Sequence, residues 1–266
     1  MPLLEELSAD SDEAAPLFDC APGFPDALAP CFVGYVGDEC CHSVVKEQEL
    51  NTAQGPLQSG TPSRFLPHMR RIREIIANGT IGEVRSITAD HRQKLPDDPM
   101  HRLNALELGG GALLDLGIYP ISFAWDIFGK PQSIKATAAF RATGADVQVA
   151  TLFHYESGAI ATTLSSSDSV GPNRASVVGT KGRIEIDRVW YSPTTFRVYD
   201  NEDNVLETFD GSVAARGMQF QAEEAERLIT SGLIAGEIMP PSQSVDIMAT
   251  LDEVRSQIGL RYLGER

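Results

Sequence analysis

The sequence predicts an α+β fold for residues 61–266, in which helices flank one mostly antiparallel β-sheet. Three observations support this prediction: an amphipathic helical segment, a series of seven strand-like segments separated by turn residues, and two helical segments that close the chain. Because the strand signals follow one another with short turns between them, hairpin connections and antiparallel pairing are expected. A chain of 266 residues is long enough to bury a substantial core.

The ordered pattern begins with RFLPHMRRIREIIANG, which places apolar residues at helical spacing and ends at Asn78-Gly79, a typical helix end. A strand, EVRSITADH, follows it. A polar segment with two prolines then leads to the stretch ELGGGALLDLGIYPISFA. After this stretch come the strand segments SIKATAAFR, DVQVATLFHY, GAIATTLSSS, RASVVGT, GRIEID, TFRVYD and NVLETFD, and then the helical segments MQFQAEEAERLITSG and QSVDIMATLDEVRSQIG, for which Ser242 is the predicted N-cap.

The stretch ELGGGALLDLGIYPISFA predicts a helix that begins behind a glycine turn. Gly109–Gly111 allow backbone angles and close approaches that a Cβ would block. Asp115 and Tyr119 are four residues apart and therefore share a helix face. Pro120 has no amide, which frees the carbonyl of Leu116 and predicts a kink there. Two interpretations stay open: a functional site with an acid and a phenol, or a tightly packed helix start.

The formal net charge of −15 makes attraction to nucleic acid or to an anionic membrane unfavourable. No uninterrupted apolar run approaches the ~20 residues that a membrane span needs. The first residues are acidic and lack the basic and then apolar pattern of a secretory signal. We therefore expect a soluble, cytoplasmic protein that binds neither nucleic acid nor membranes.

Residues 1–60 differ in character from the rest of the chain. They contain eleven acids against a single base, Lys46, and they are predicted to be poorly ordered because their charge is high for their apolar content. They also contain the potential metal ligands Cys20, Cys31, Cys40, Cys41 and His42. The spacing of these residues matches no paired zinc ligands, so we predict no metal site and expect free thiols.

Five segments, in order, resemble the C-terminal part of the Gfo/Idh/MocA oxidoreductases, most closely the branch of the dimeric dihydrodiol dehydrogenases. The segments are TPSRFLPHMRRIREIIANGTIGEVRSITAD, DPMHRL, LGGGALLDLGIYPISFA, PNRASVVGTKGRIEI and EVRSQIGLRY. The resemblance implies an N-terminal Rossmann domain that binds NAD or NADP. It also implies a C-terminal antiparallel sheet that covers a small-molecule substrate and pairs two subunits as a homodimer.

The resemblance also implies site residues. Lys46, in VVKEQELNTAQ, corresponds to the catalytic lysine of the family, Tyr119 to its catalytic tyrosine, and Asp115 to the acid one turn earlier. His101 and Arg102 lie in a loop segment and are candidates for substrate binding. Four of these residues have plainer alternatives. These are a solvated lysine for Lys46, a core tyrosine for Tyr119, a polar helix residue for Asp115, and for Arg102 an arginine that ties its loop to an acid.

The chain departs from the family pattern before residue 61. No strand followed by GxGxxG precedes Lys46, so residues 1–60 are interpreted as a truncated remnant of the Rossmann domain, and the cofactor-binding residues are unknown. Two hypotheses follow. One is an oxidoreductase that transfers a hydride between NAD(P) and a small polyol, sugar or trans-dihydrodiol; the other is a non-catalytic dimerising sheet. For this chain we expect dinucleotide binding weaker than millimolar.

Overall fold

The computed structural model describes residues 62–213 and 215–262, together with two short strands that pair in parallel, β1 (Phe32–Val33) and β2 (Gln58–Ser59). The predicted α+β architecture is confirmed for this part of the chain. The remaining residues before 62, which include Lys46 and the four cysteines, lie outside the described residues. The domain boundary near residue 60 and the Rossmann remnant therefore stay predictions.

The strands and helices follow the predicted segments closely, and their bounds are as follows. The main sheet contains β3 (Val84–Arg92), β4 (Ser133–Phe140), β5 (Asp146–His154), β6 (Ile160–Ser166), β7 (Ala175–Gly179), β8 (Gly182–Ile186), β9 (Thr195–Asp200) and β10 (Val205–Asp210). The helices are α1 (Pro67–Ala77), α2 (Ile118–Phe128), α3 (Gln219–Thr230) and α4 (Pro241–Ile258). A π-helical turn, Leu113–Gly117, leads directly into α2.

The eight strands are ordered β10-β9-β8-β7-β3-β6-β5-β4. Every neighbouring pair is antiparallel except β3 and β6, which run parallel. β3 precedes the other seven strands in sequence but lies between β6 and β7, in the middle of the sheet. It is therefore a central strand, and it packs against α2, the helix that follows the glycine turn.

The hydrophobic core lies between one face of the sheet and the helices. From the sheet, Ile87, Ala161 and Val177 are at most 1% exposed, and from α2 Ile121 and Ala124 are fully buried. Burial of such side chains is the main stabilising contribution to a domain of this kind. The stretch Leu106–Phe128 is long and apolar enough to cross a membrane by length and composition, but 61% of its most apolar window is buried in this core.

A buried ion cluster fixes α2 against its neighbours. Arg64, only 3% exposed, donates to the hydroxyl and the carbonyl of Ser122 at 3.0 and 2.7 Å. The carboxylate of Asp126 lies 3.5 Å from Arg64 Nη1 and 2.7 Å from Arg73 Nη1. Burial lowers the pKa of Arg64 to about 10, and the nearby Asp126 opposes that shift. The cluster therefore joins Arg64, in the segment before α1, to two successive turns of α2.

Helix α4 begins differently from the prediction. It starts at Pro241, its N-cap is Pro240, and no side chain caps it, so the predicted cap at Ser242 is wrong. Proline suits the first helical position because its missing amide would have had no partner there. Near its other end, Gln257 accepts from the amide of Ala136 and donates to the carbonyl of Ile134, both at 3.0 Å, and so satisfies part of the edge of β4.

Candidate active site

Each glycine of the turn before the π-helical turn has its own structural reason. Gly109 adopts a left-handed conformation with φ of 72°. A Cβ on Gly110 would lie 2.7 and 2.8 Å from the carbonyl oxygens of Arg102 and Ala105. Gly111 has φ of 148°, and the position of its missing Cβ is taken by the carboxylate of Asp146. The interpretation as a tightly packed helix start therefore accounts for all three glycines.

Asp146 caps the helix start from the neighbouring strand β5. Its Oδ2 accepts a hydrogen bond from the amide of Leu113 at 2.7 Å. Burial raises the pKa of Asp146 to about 6, and hydrogen bonds from the amides of Leu113 and Ala112 oppose that shift. The residue was not predicted as important, although an acid at the first position of a strand with alternating apolar residues is the signal that could have found it.

The π-helical turn gives the predicted irregularity of this helix its actual form. It ends at Gly117, one residue before α2 begins, and π turns are frequent at functional sites. Pro120 has no amide to donate to the carbonyl of Leu116. That carbonyl interacts with the imidazole of His91 and tends to raise its pKa. A Cβ on Gly117 would lie 3.1 Å from Ser165 Oγ, so glycine lets the turn approach β6 closely.

Asp115 lies in the π-helical turn and faces a loop cation. Its Oδ1 is 3.7 Å from Nη1 of Arg102, and the two side chains are 24% and 53% exposed. Burial raises the pKa of Asp115, while the charges of Arg102 and His101 oppose that shift. Arg102 therefore lies beside an acid of the π-helical turn, and its guanidinium remains half open to solvent.

Tyr119 is half-buried one turn beyond Asp115. Burial raises the pKa of its phenol, the charge of Asp115 raises it further, and Arg216 opposes the shift. The ring lies edge-on to the imidazole of His91, with ring centres 5.0 Å apart, and 5.7 Å from the ring of Tyr191. A phenol in this environment is protonated at neutral pH and can donate a proton as an acid.

His91 is a neutral, packed imidazole below this phenol. It is 3% exposed, and burial lowers its pKa to about 4. Its Nε2 lies 2.7 Å from the side-chain Nε2 of Gln93, so the two side chains are hydrogen-bonded. Gln93 also hydrogen-bonds the phenol of Tyr191, whose pKa it tends to lower. His91, Gln93 and Tyr191 were not predicted; the helix-facing position of His91 in EVRSITADH is the signal that indicates it.

The structure brings three of the five sequence-predicted site residues together: Arg102, Asp115 and Tyr119. The imidazole of His101 is close enough to influence Asp115, but its Nδ1 accepts from the amide of Leu103 at 3.3 Å, within its own loop. Lys46 lies outside the described residues. Within residues 62–213 and 215–262, no group of three or more His, Cys, Asp or Glu side chains is arranged to hold a metal ion.

Comparison with known proteins agrees with this geometry. Residues 69–185 match the model of the GFO/IDH/MocA C-terminal domain. Over these residues the chain is similar to the Gfo/Idh/MocA C-terminal domain. The resemblance that the glycine helix, DPMHRL and GTKGR indicated is thereby confirmed, and the matched range contains Arg102, Asp115, Tyr119 and Asp146.

The sequence relatives that the chain resembles are dihydrodiol dehydrogenases. The chain is 34% identical over 206 residues to trans-1,2-dihydrobenzene-1,2-diol dehydrogenase of Mus musculus, an alignment that covers 75% of this chain and 61% of that protein. It is 30% identical over 210 residues to the protein of the same name from Homo sapiens, with the same coverage. The chain thus spans about 61% of the length of these relatives.

Solved structures share the fold. An aldose-aldose oxidoreductase from Caulobacter crescentus, complexed with glycerol, matches with a TM-score of 0.69 and 23% identity over 78% of this chain and 63% of that chain. A 3-ketoreductase from Actinomadura kijaniata, in complex with TDP-benzene and NADP, matches with a TM-score of 0.65 and 21% identity over the same shares. At these identities the matches show that the Gfo/Idh/MocA fold is shared.

Proposed function

We propose that this chain is an NAD(P)-dependent oxidoreductase that acts on CH–OH groups, with Tyr119 as its acid–base residue. The observation that carries the proposal is the half-buried, protonated phenol of Tyr119, beside Asp115 and the Arg102–Asp115 ion pair. The position of Tyr119 corresponds to the tyrosine that the Gfo/Idh/MocA resemblance assigns to catalysis. The names of the dihydrodiol dehydrogenases and sugar oxidoreductases that the chain resembles support this reaction class.

The chemistry of the described residues is a proton transfer. Oxidation of a carbinol needs a base for the hydroxyl proton, and reduction of the carbonyl needs the same group as an acid. The Tyr119 phenol, which is protonated at neutral pH, supplies that proton in the direction of reduction. Lys46, proposed from the resemblance as an assisting cation, would lower that pKa and favour the phenolate in the direction of oxidation.

The dinucleotide does not fit the glycine turn. A pyrophosphate needs free amides at a helix N-terminus. Here the amide of Leu113 is bonded to the carboxylate of Asp146, and the amide of Gly110 is bonded to the carbonyl of Ala105 at 3.0 Å. A buried carboxylate in this place repels a phosphate, so the described part of the chain offers no phosphate site at this helix. The expectation that this chain binds NADPH more weakly than millimolar rests on the missing GxGxxG motif before Lys46.

The substrate proposed is a small polyol, a sugar or a trans-dihydrodiol. Asp115 and Arg102 are exposed enough to hydrogen-bond the hydroxyl groups of such a molecule. We also propose a cytoplasmic location, which is supported by the acidic composition and by the expectation of free thiols.

A second candidate is a non-catalytic domain that pairs two copies through the sheet. The face of the sheet opposite the helices carries a row of side chains from adjacent strands: Leu152, Thr162, Thr88 and Ser176. Leu152 is 42% exposed, and hydroxyl groups predominate beside it. A homodimer formed through this face is part of both proposals, because an uncovered sheet face with apolar side chains is a common interface.

Turnover separates the two candidates. The purified chain is mixed with trans-1,2-dihydrobenzene-1,2-diol or with an aldose, at NADP⁺ concentrations raised well above millimolar, and formation of NADPH is followed by absorbance. The oxidoreductase proposal predicts slow, substrate-dependent reduction that does not saturate below millimolar NADP⁺. Absence of substrate-dependent reduction at every NADP⁺ concentration would overturn it and favour the non-catalytic domain.

A further inference from the structure

The buried carboxylate of Asp146 holds the start of the helix that carries Tyr119, the proposed acid–base residue. Asp146 is 0% exposed and lies at the first position of β5. Its Oδ2 accepts from the amide of Leu113, and its Oδ1 has no hydrogen-bond partner and lies where a Cβ of Gly111 would be. We propose that Asp146 is a positioning residue that fixes the π-helical turn and thereby sets the places of Asp115 and Tyr119. This inference rests on the proposed function.

The helix has no cap of its own. The residue at its N-cap position, Ala112, provides no side-chain hydrogen bond, so the first amides must find an acceptor elsewhere. Asp146 provides that acceptor from a strand of the sheet. An anionic group at a helix N-terminus also interacts favourably with the helix dipole, and burial protects this interaction from salt. The contact therefore fixes the helix start relative to β5.

The geometry transmits this contact to the proposed site over a short path. Asp115 is two residues beyond Leu113, whose amide Asp146 holds, and Tyr119 is one turn further. A π-helical turn is less regular than an α-helix and depends more on contacts from outside. Loss of the Asp146 contact would let this turn relax toward α-helical geometry, and such a change rotates Asp115 relative to Tyr119.

A contact from near the end of the described chain also holds the glycine turn in place. The hydroxyl of Tyr262, near the end of the described chain, donates to the carbonyl of Gly110 at 3.3 Å. Arg255 lies 4.7 Å above the ring of Tyr262, and its charge favours the ionised form of Asp146. Asp146 at the start of β5 and Tyr262 after α4 thus both hydrogen-bond the backbone at this helix start.

Two substitutions weaken the same contact from opposite partners. Asp146→Asn keeps the shape of the side chain but removes its charge. Gly111→Ala places a Cβ against the Asp146 carboxylate and displaces it. Gly79→Ala is the matched control, because Gly79 also has a positive φ, of 75°, but has no neighbour within 4 Å. Glu224→Gln is the control for loss of a buried carboxylate. Glu224 is 6% exposed and pairs with Arg227 within α3, far in sequence from the π-helical turn.

The readout is fluorine NMR of the full chain labelled with 3-fluorotyrosine. The chain has six tyrosines, and the Tyr119→Phe variant identifies the Tyr119 resonance by its loss. We expect Asp146→Asn and Gly111→Ala each to shift the Tyr119 resonance by more than its line width and to change the pH at which it titrates. Gly79→Ala and Glu224→Gln are expected to leave it in place.

An unchanged Tyr119 resonance in both folded variants would overturn the inference. Failure of both variants to fold, with both controls folded, would also overturn it, because the inference assigns Asp146 to one helical turn and not to the stability of the whole domain. The readout needs neither cofactor nor turnover. A chain without activity but with the expected resonance shifts would therefore contradict the proposed function and leave the positioning role of Asp146 intact.

Where the wild-type chain does turn over, kinetics add a second readout. Asp146→Asn is expected to lower kcat with little change in the KM for the carbinol, because the loss affects the orientation of the acid and not the binding of substrate. Asp146→Glu, which restores the charge, is expected to recover part of kcat. Equal kcat for Asp146→Asn and the wild type would contradict the inference.

Discussion

The imidazole of His91 stacks on the phenol ring of Tyr191, with ring centres 3.7 Å apart and an angle of 28° between the ring planes. The ring of Tyr119 approaches the imidazole of His91 edge-on, with ring centres 5.0 Å apart. His91 lies near the end of β3, the strand placed in the middle of the sheet, and Tyr191 follows β8. The stack therefore links the proposed acid–base residue to two separate parts of the fold.

Replacing Tyr191 with leucine is expected to destabilise the domain by about 1 kcal/mol beyond the loss of buried area, because paired aromatic rings contribute ~0.5–1.5 kcal/mol. Urea unfolding measures the change. Tyr199→Leu is the control, since Tyr199 lies on β9 over Arg183 and away from the site. A loss in Tyr191→Leu no larger than its buried area explains would show that the His91–Tyr191 stack has no special contribution.

The free energy of unfolding is expected to rise from about pH 4 to about pH 6.5. Burial lowers the pKa of His68 and of His91 to about 4, below the ~6.5 of an unfolded chain. The unfolded state therefore binds more protons than the folded state across this window. The free energy of unfolding rises with pH for that reason. Asp146 acts in the opposite sense, because its pKa is raised to about 6 and its contribution to stability falls as pH rises toward that value.

With two histidines against one acid, we expect a net gain on the order of 3 kcal/mol between those pH values. Asp146→Asn removes the opposing contribution and should make the rise steeper, whereas His91→Gln should make it shallower. Urea unfolding at a series of pH values gives these slopes. A wild-type stability that stays flat or falls over the window would show that the histidines are not held neutral in the folded state.

Arg64 and Arg71 offer a contrast between a buried and a surface ion pair. Arg64 is 3% exposed and bonded to Ser122 and Asp126, so Arg64→Leu is expected to cost ~3–5 kcal/mol by leaving buried partners unpaired. Arg71 pairs with Glu207 at 2.9 Å on the surface, and Arg71→Ala is expected to cost at most ~1 kcal/mol. Similar unfolding midpoints for the two variants would contradict this ranking.

Leu152→Glu is expected to prevent the homodimer, because it places a charge in the row of side chains on the uncovered sheet face. Light scattering at high micromolar concentration measures the mass. Leu206→Glu, on the edge strand β10 and 52% exposed, is the control and should leave the dimer intact. A monomeric wild type would refute the dimer. Added salt should strengthen pairing, because the acidic residues 1–60 of two copies repel each other.

The elements of the fold could be predicted because their patterns are local. The helix that ends at Asn78 and the strands from Ser133 to Asp210 lie where apolar periodicity and turn residues indicated. The central place of β3 and its parallel pairing with β6 could not be predicted, because hairpin rules relate only consecutive strands. Turn chemistry carries no information about a strand that is separated from the sheet by a loop and a helix.

The candidate site was predictable in part, on the glycine helix and on the loop that carries Arg102. Asp115 and Tyr119 share a helix, so their spacing indicated a common face. His91, Tyr191 and Asp146 come from three other elements, and only tertiary packing brings them to the same helix. The glycine turn shows the limit most clearly, since its sequence indicated a close approach but not that the approaching group is the carboxylate of Asp146.

The central claim, that Tyr119 is the acid–base residue of a Gfo/Idh/MocA oxidoreductase, is tested most directly by the kcat of Tyr119→Phe. Phenylalanine keeps the ring against His91 but cannot transfer a proton, so kcat for NADP⁺-dependent carbinol oxidation is expected to fall ~100- to 10,000-fold, with an unchanged fold by circular dichroism. Tyr199→Phe should retain the wild-type rate. A Tyr119→Phe variant that oxidises the substrate as fast as the wild type would contradict the account.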